Sequence, residues 1–292
     1  METETVSGTP SILGTAKVVV SRLTTKYDSR ESTNIVRALV EEVIRQPYKW
    51  LLLHPEAVFT PEQSTHFETL VHRILQGEPL QYVIGKAWFY GLELHVAPGV
   101  LIPRPETEEL VEAVLQRLHR SAGISIVDIG TGSGCIPLAL AKNLPGAQVT
   151  GVDVSETALA IAKANAERLG IPCEFRLLDV LAASGDEFHS LDILVSNPPY
   201  IPESEWAALD AHVRDHEPAL ALKVPDASPL LFYIKVSQLG LTWLRPGGWL
   251  LFEIHENFGQ DTANMMRFTG YQDVEILPDL QGRDRIAVGK KP

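Results

Sequence analysis

The sequence predicts a doubly wound α/β sheet with an antiparallel last strand, preceded by a small helical domain and joined to it by a β-hairpin. Three patterns carry that prediction. From residue 124 onward, short apolar runs alternate with segments of helical period, which implies a mostly parallel sheet covered on both faces. The last two runs are separated only by Pro278 to Asp284. A parallel crossover needs about a dozen residues, so the last strand must run antiparallel. From Thr15 to Gly77, by contrast, the apolar spacing is helical throughout.

In chain order, residues 1–11 read as a frayed tail. Ile35, Leu39, Val43 and Ile44 then share one helical face, and Phe67, Leu70, Val71 and Ile74 share another. Pro47, Pro55 and Pro61 punctuate these helices, and Thr60-Pro61 reads as an N-cap followed by proline at the first helical position. Trp50 to Leu53 are expected in the core of this domain. Trp88 to Val96 form a hairpin around a glycine turn, followed by Leu101-Ile102-Pro103-Arg104-Pro105, whose prolines end local structure before a helix from about Glu106. Strands are predicted at Ile124–Ile129, Gln148–Val154, Glu174–Leu178, Asp192–Ser196, Trp249–Ile254, Val274–Leu277 and Arg285–Gly289. Helices are predicted at 135–144, 156–169, 229–244 and 257–269. The resulting division is 1–78 helical, 79–104 hairpin linker and 105–292 α/β.

The bulk composition narrows the function classes. With 292 residues, 45% hydrophobic and 21% charged, the chain has ample material for a core and little tendency to disorder. A net charge of −12 disfavours a polyanionic partner, because phosphate contacts need Lys and Arg. It favours small molecules or basic protein partners. The two cysteines, Cys135 and Cys173, have no paired spacing and no His-rich metal pattern around them, which suits packing roles in a reducing compartment. No apolar run approaches the roughly 18 residues of a membrane span, and no signal pattern opens the chain. A soluble, cytoplasmic protein is expected.

Val127-Asp128-Ile129-Gly130-Thr131-Gly132-Ser133-Gly134 sits at a strand-to-helix junction. Glycines there allow a tight turn and close backbone approach to a ligand. Such a turn alone would serve NAD, FAD or S-adenosylmethionine, or no ligand at all. The spacing is GxGxG rather than GxGxxG, an acid precedes it, and no Lys or Arg lies between Asp128 and Lys142. An acid-led site without a base suits a cationic sulfonium better than a diphosphate. Asp153, ending the second strand, can accept from both ribose hydroxyls, or it can merely cap the following helix. Asp179, after the third strand, can accept from an adenine amino group, or it can be a solvated strand-end acid.

Asn197-Pro198-Pro199-Tyr200 follows the fourth strand, at the edge of the sheet where open parallel sheets bind ligands. The Asn197 amide oxygen and the Pro198 carbonyl form a pair of acceptors suited to both hydrogens of one NH2 group. Held from one side, such a nitrogen becomes pyramidal and its lone pair becomes available for attack on a methyl group. Tyr200 would offer an aromatic wall to the planar group. A simple proline-rich turn is the plain alternative.

With these motifs assembled, the chain resembles the release factor glutamine methyltransferases over roughly residues 75–292. The resemblance rests on Gly77-Glu78-Pro79-Leu80-Gln81-Tyr82, Leu101 to Glu108, Gly130 to Gly134, Asp153, Asn197 to Tyr200, Glu217-Pro218 and Gly282-Arg283-Asp284-Arg285. It implies a Rossmann-like methyltransferase sheet that carries methyl from S-adenosylmethionine to the side-chain nitrogen of the glutamine in a release factor's Gly-Gly-Gln loop. It further implies that Asp128, Gly130, Thr131, Gly132, Ser133, Gly134, Asp153, Asp179 and Val180 serve the donor. Thr107 and Arg104 would lie near the donor's methionine end. Asn197 would touch donor and glutamine, and Pro198, Pro199 and Tyr200 would line the glutamine pocket. The helical domain is expected to recognise the protein partner. An adenine-N6 nucleic-acid methyltransferase shares the Asn-Pro-Pro-Tyr motif, and a close relative modifies a ribosomal protein, so both remain alternatives. The charge and the absence of a Lys/Arg cluster argue against the first of these.

Overall fold

The computed structural model describes residues 9–118 and 123–292, which form two compact units dividing between Gly85 and Lys86. Residues 1–8 of the expected tail lie outside the described residues.

The first unit is helical. Helix α1 (Ile12–Leu23) starts where Ser11 Oγ accepts from the Gly14 amide at 3.2 Å, and α2 (Ser29–Ile44) starts where Asp28 accepts from Glu31 at 2.8 Å. Helix α3 (Pro61–Leu75) has a complete capping box between Thr60 and Gln63, with Pro61 at its first position. Helix α4 (Leu80–Ile84) ends on the left-handed Gly85. Ile35, Leu39 and Val43 from α2 meet Phe67, Leu70 and Ile74 from α3 in one buried cluster. The expectation for Trp50 to Leu53 holds for the first two and is corrected for the last two. They lie on or beside a single 3-10 turn, Tyr48–Leu52, which turns only part of the run inward, and Trp50 packs half-buried against the core cluster. Leu51 is buried, whereas Leu52 and Leu53 are 73% and 80% exposed.

The second unit opens with the hairpin of β1 (Lys86–Phe89) and β2 (Leu92–His95). Its two-residue turn, Tyr90-Gly91, has φ of 47° and 71°, the left-handed pair whose twist matches the flanking strands. There follow α5 (Pro105–Gln116), β3 (Ser125–Ile129), α6 (Cys135–Asn143), β4 (Gln148–Asp153), α7 (Glu156–Leu169), β5 (Glu174–Leu177) and β6 (Leu191–Ser196). A two-residue strand β7 (Ile201–Pro202), a short helix α8 (Ala211–His216) and a second two-residue strand β8 (Lys223–Val224) come next. The chain then continues through α9 (Leu231–Trp243), β9 (Leu244–Glu253), α10 (Gly259–Thr269), β10 (Gln272–Pro278) and β11 (Asp284–Lys290). Seven strands form one sheet in the order β10-β11-β9-β6-β3-β4-β5. The last strand, β11, pairs antiparallel with both neighbours, as the short connection before it required. Successive residues along each central strand face opposite layers. Ile126, Ile193 and Leu251 pack on α5, α6 and α7, while Val127, Leu194 and Leu250 pack on α9 and α10.

The order fixes where a ligand can bind. From β3 the chain proceeds outward through β4 to β5, then returns to place β6 on the other side of β3. The carboxyl ends of β3 and β6 therefore flank the switch point of the sheet, the usual crevice of an open α/β fold. The glycine turn follows β3 and Asn197 follows β6, so topology alone brings the two sequence motifs together.

Candidate active site

The turn after β3 is held by its own backbone. The Gly130 and Thr131 amides both donate to the Val152 carbonyl, at 2.9 and 3.0 Å, and the Gly132 amide donates to Asp153 Oδ2 at 2.9 Å. Gly134 begins α6 with φ of 81°. A Cβ there would stand 3.1 Å from that of Ala162 and 3.3 Å from Phe175, so this glycine serves the packing of α6 as well as the turn. Asp153 carries a second backbone donor, the Ser155 amide at 2.9 Å on Oδ1, whereas Ser155 itself caps α7. Each Asp153 oxygen thus keeps a lone pair for a ligand.

A cavity of about 450 Å³ opens over this turn. Gly130, Gly132, Asp153, Asp179 and Val180 line it, together with Asn197, Pro198 and Pro199 from the end of β6. Leu178 and Val180 give an aliphatic wall beside Asp179, whose Oδ1 accepts from the Leu181 amide at 2.9 Å. Two carboxylates and no Lys, Arg or His line the cavity, which suits a ligand of net positive charge and opposes a diphosphate. Carboxylate oxygens on Asp153 with lone pairs to spare, close backbone at Gly130 and Gly132, and an aliphatic wall together fit S-adenosylmethionine. Among the described residues no cluster of His, Cys, Asp or Glu could hold a metal ion.

The other predicted site residues do not line the cavity. Asp128 is fully buried beneath the turn, and its two oxygens, the Thr131 hydroxyl and the Ser133 hydroxyl have no hydrogen-bond partner. Burial pushes the Asp128 carboxyl up to about 7, and the Asp153 charge pushes the same way. The Thr131 hydroxyl is close enough to oppose that rise without meeting hydrogen-bond geometry. A carboxyl whose folded pKa lies above its unfolded value costs stability as pH rises through the interval between them. Asp128→Asn should therefore leave stability near pH 4 almost unchanged and gain on the wild type as pH rises to 7. Denaturant midpoints of the two proteins across that range check this; parallel pH profiles would contradict it.

Thr107 and Tyr200 also stand behind the cavity rather than in it. The Asn197 Nδ2 donates to Thr107 Oγ1 at 3.2 Å, and the Thr107 hydroxyl donates to Glu253 Oε2 at 2.6 Å. The Tyr200 hydroxyl donates to Glu253 Oε1 at 3.2 Å, and its ring stands edge-on to His255 with centroids 6.0 Å apart. Burial raises both the Tyr200 phenol and the Glu253 carboxyl above their ordinary ranges, while the nearby Arg285 guanidinium opposes both rises. Arg285 in turn pairs with Asp279 at 3.1 Å. Another buried acid, Glu217, accepts from the Ile102 amide at 3.0 Å and from Arg104 at 2.6 Å. It ties Leu101, on one cavity wall, to Pro218, on another. Arg104 itself is engaged by this acid and is absent from the cavity lining.

Glu253 escaped attention in the sequence as a functional group, and Arg285 was marked only within the Gly282-Arg283-Asp284-Arg285 motif, without a role. The available signal was an acid closing the apolar run Leu250-Leu251-Phe252. Lone charges in that setting are seldom buried unless paired.

Comparison with known proteins agrees with this geometry. Residues 103–215 match the family described as Methyltransferase small domain, and residues 17–85 match PrmC N-terminal domain. A release factor glutamine methyltransferase of Bacteroides thetaiotaomicron is 48% identical over 78% of this chain and 82% of its own length. One from Flavobacterium psychrophilum is 36% identical over 91% and 94%. In fold, the chain is similar to a methyltransferase from Pyrococcus furiosus, with TM-score 0.51, 18% identity and coverage of 75% and 96%. It is also similar to a T. thermophilus 16S rRNA N2 G1207 methyltransferase in complex with AdoMet and guanosine, with TM-score 0.51, 21% identity and coverage of 71% and 50%.

Proposed function

The chain belongs to the release factor glutamine methyltransferase family, and from that premise we propose that its target is the side-chain amide nitrogen of the glutamine in the Gly-Gly-Gln motif of peptide chain release factors. The observation that carries the reading is the shared cavity. Asn197 and Pro198, the acceptor pair, line the same space as Gly130, Gly132 and Asp153.

S-adenosylmethionine supplies an electrophilic methyl group when bound. Asp153, Gly130 and Gly132 hold its nucleoside, and Asp179 with Val180 flank its base. Asn197 Oδ1 and the Pro198 carbonyl accept the two hydrogens of the glutamine NH2. Both bonds strengthen as positive charge develops on that nitrogen, so they favour the transition state over the ground state. Holding the amide in a fixed place and direction supplies much of the remaining acceleration. Pro199 and the Pro218–Ala221 wall shield the amide from water.

Adenine also offers an NH2 group, but the chain's charge of −12 opposes a nucleic acid. Incubation with labelled donor and purified release factor, followed by mass mapping, tests the assignment. Label on the Gly-Gly-Gln glutamine supports it; label confined to nucleic acid or to a ribosomal protein overturns it. Residues 9–85 are the partner-recognition unit in this reading, since a pocket for one side chain cannot select a whole protein. Removing residues 1–85 should leave donor affinity and activity on a short Gly-Gly-Gln peptide intact. Activity on the intact release factor should fall by at least about tenfold, the loss of a modest share of interface energy. Equal activity on both substrates would refute that role. Among the described residues no helix is long and apolar enough to cross a membrane, and the work is assigned to the cytoplasm, where release factors act.

A further inference from the structure

We propose that Thr107 and Glu253 are positioning residues that fix which end of the Asn197 amide faces the cavity. This rests on the acceptor role given to Asn197 above. An asparagine side chain is nearly symmetric in shape, and only its hydrogen bonds distinguish oxygen from nitrogen. If the amide were turned over, its NH2 would point at the substrate NH2, donor against donor, and the site would repel the group it must hold.

The hydrogen bonds behind the cavity settle the direction. A threonine hydroxyl has one proton to give. The 2.6 Å contact with Glu253 Oε2 has the length of a charge-assisted O–H···O⁻ bond, so that proton goes to the carboxylate. Burial pushes the Glu253 carboxyl up, while the Thr107 hydroxyl, the nearby Arg285 guanidinium and the Tyr200 hydroxyl, which donates to the other oxygen at 3.2 Å, oppose that rise, so both carboxyl oxygens face hydroxyl donors. With its proton committed, Thr107 Oγ1 can only accept, and the atom 3.2 Å away on Asn197 must be the nitrogen. Oδ1 is then left for the substrate. A chain of three residues from three elements converts the charge of Glu253 on β9, through Thr107 on α5, into the polarity of an amide after β6.

The substitutions that test this leave shape intact. Thr107→Val removes the hydroxyl at constant volume. Glu253→Gln offers Thr107 an NH2 that reverses the direction of the chain. Each should lower kcat on release factor by about tenfold or more, the equivalent of one hydrogen bond, with donor affinity within about twofold of wild type, a few tenths of a kcal/mol. Thr107→Ser, which restores the hydroxyl, should recover most of the loss. A second readout is independent of turnover. In protein labelled with 15N-asparagine, the Asn197 side-chain NH2 signal, identified by its disappearance in Asn197→Ala, should shift in Thr107→Val and Glu253→Gln and return in Thr107→Ser. Wild-type kcat in Thr107→Val or Glu253→Gln, beside an inactive Asn197→Ala, overturns the positioning role and leaves the acceptor reading standing. Equal losses of kcat and donor affinity overturn it too, because they would show general damage. Wild-type turnover in Asn197→Ala would instead remove the acceptor reading itself.

Discussion

Asn197→Ala should lower kcat by about 10²–10³, the usual cost of removing one preorganised group that contacts developing charge, while donor affinity changes little. The asymmetry follows from where the side chain sits. Asn197 lines the cavity and its nitrogen is engaged with Thr107, which leaves its oxygen for the acceptor amide rather than for the nucleoside. The alanine also leaves the Thr107 hydroxyl without its donor, which costs some stability but leaves the backbone after β6 in place. That backbone is fixed independently, because Ser196 Oγ donates to the Ile129 carbonyl at 2.7 Å. Asn197→Asp separates shape from charge. It keeps the acceptor oxygen but replaces the donor nitrogen with a second oxygen, setting a carboxylate beside a hydroxyl already committed to Glu253, one residue removed from a second buried acid. Its activity should fall almost as far as that of the alanine variant. Single-turnover rates and donor titrations measured side by side check both variants. A parallel fall in rate and affinity would place Asn197 in donor binding instead.

The second large effect is expected at Asp153. Asp153→Ala should weaken donor binding by about 10–100-fold, the worth of hydrogen bonds to a charged acceptor, and lower kcat far less at saturating donor. Part of the loss will come through the protein itself. The carboxylate accepts from the Gly132 and Ser155 amides at 2.9 Å each, so its removal leaves two backbone donors to find water and loosens the turn that forms the cavity floor. Asp153→Asn distinguishes the two contributions. Its amide oxygen can still serve one of those backbone donors, so the turn should hold while one ribose acceptor is lost. Calorimetric titration with S-adenosylhomocysteine gives the affinities without turnover. Unchanged affinity in both variants would refute the ribose role.

Much of the architecture was legible in the sequence because it depends on local signals. The strands of the central sheet are buried on both faces and read as apolar runs, and the antiparallel last strand followed from a single short connection. The partly polar β10 and β11 proved longer than their apolar cores, Gln272–Pro278 against 274–277 and Asp284–Lys290 against 285–289. The pairing of β7 with β8 was not legible, since two-residue strands carry no period. Trp50 to Leu53 misled because an apolar run suggests burial but a 3-10 turn can bury only part of it. In the site, the groups that line the cavity were legible wherever they cluster in a motif. Glu253 was not, because its importance arises from a contact with Thr107, 146 residues away in sequence. Thr107 itself was marked from the segment that carries it, but its hydrogen bond with Asn197, 90 residues away, appears only in the folded chain.

The place of β11 has a consequence for the order of assembly. β10 is made before β11 yet lies beyond it, so β10 has no strand to pair with until β11 arrives. In the finished sheet β9 and β10 flank a slot about two strand spacings wide, roughly 9–10 Å, which β11 fills. Filling it sets Ile286 opposite Glu253, with Arg285 one residue away. The guanidinium that steadies the buried acid thus enters with the strand that completes the sheet. A chain caught before that step could have its glycine turn formed while Asn197 still lacked a defined direction. Capacity for the donor and competence to use it would then arise at different moments of folding, with the second waiting on the last strand of the chain to enter the sheet.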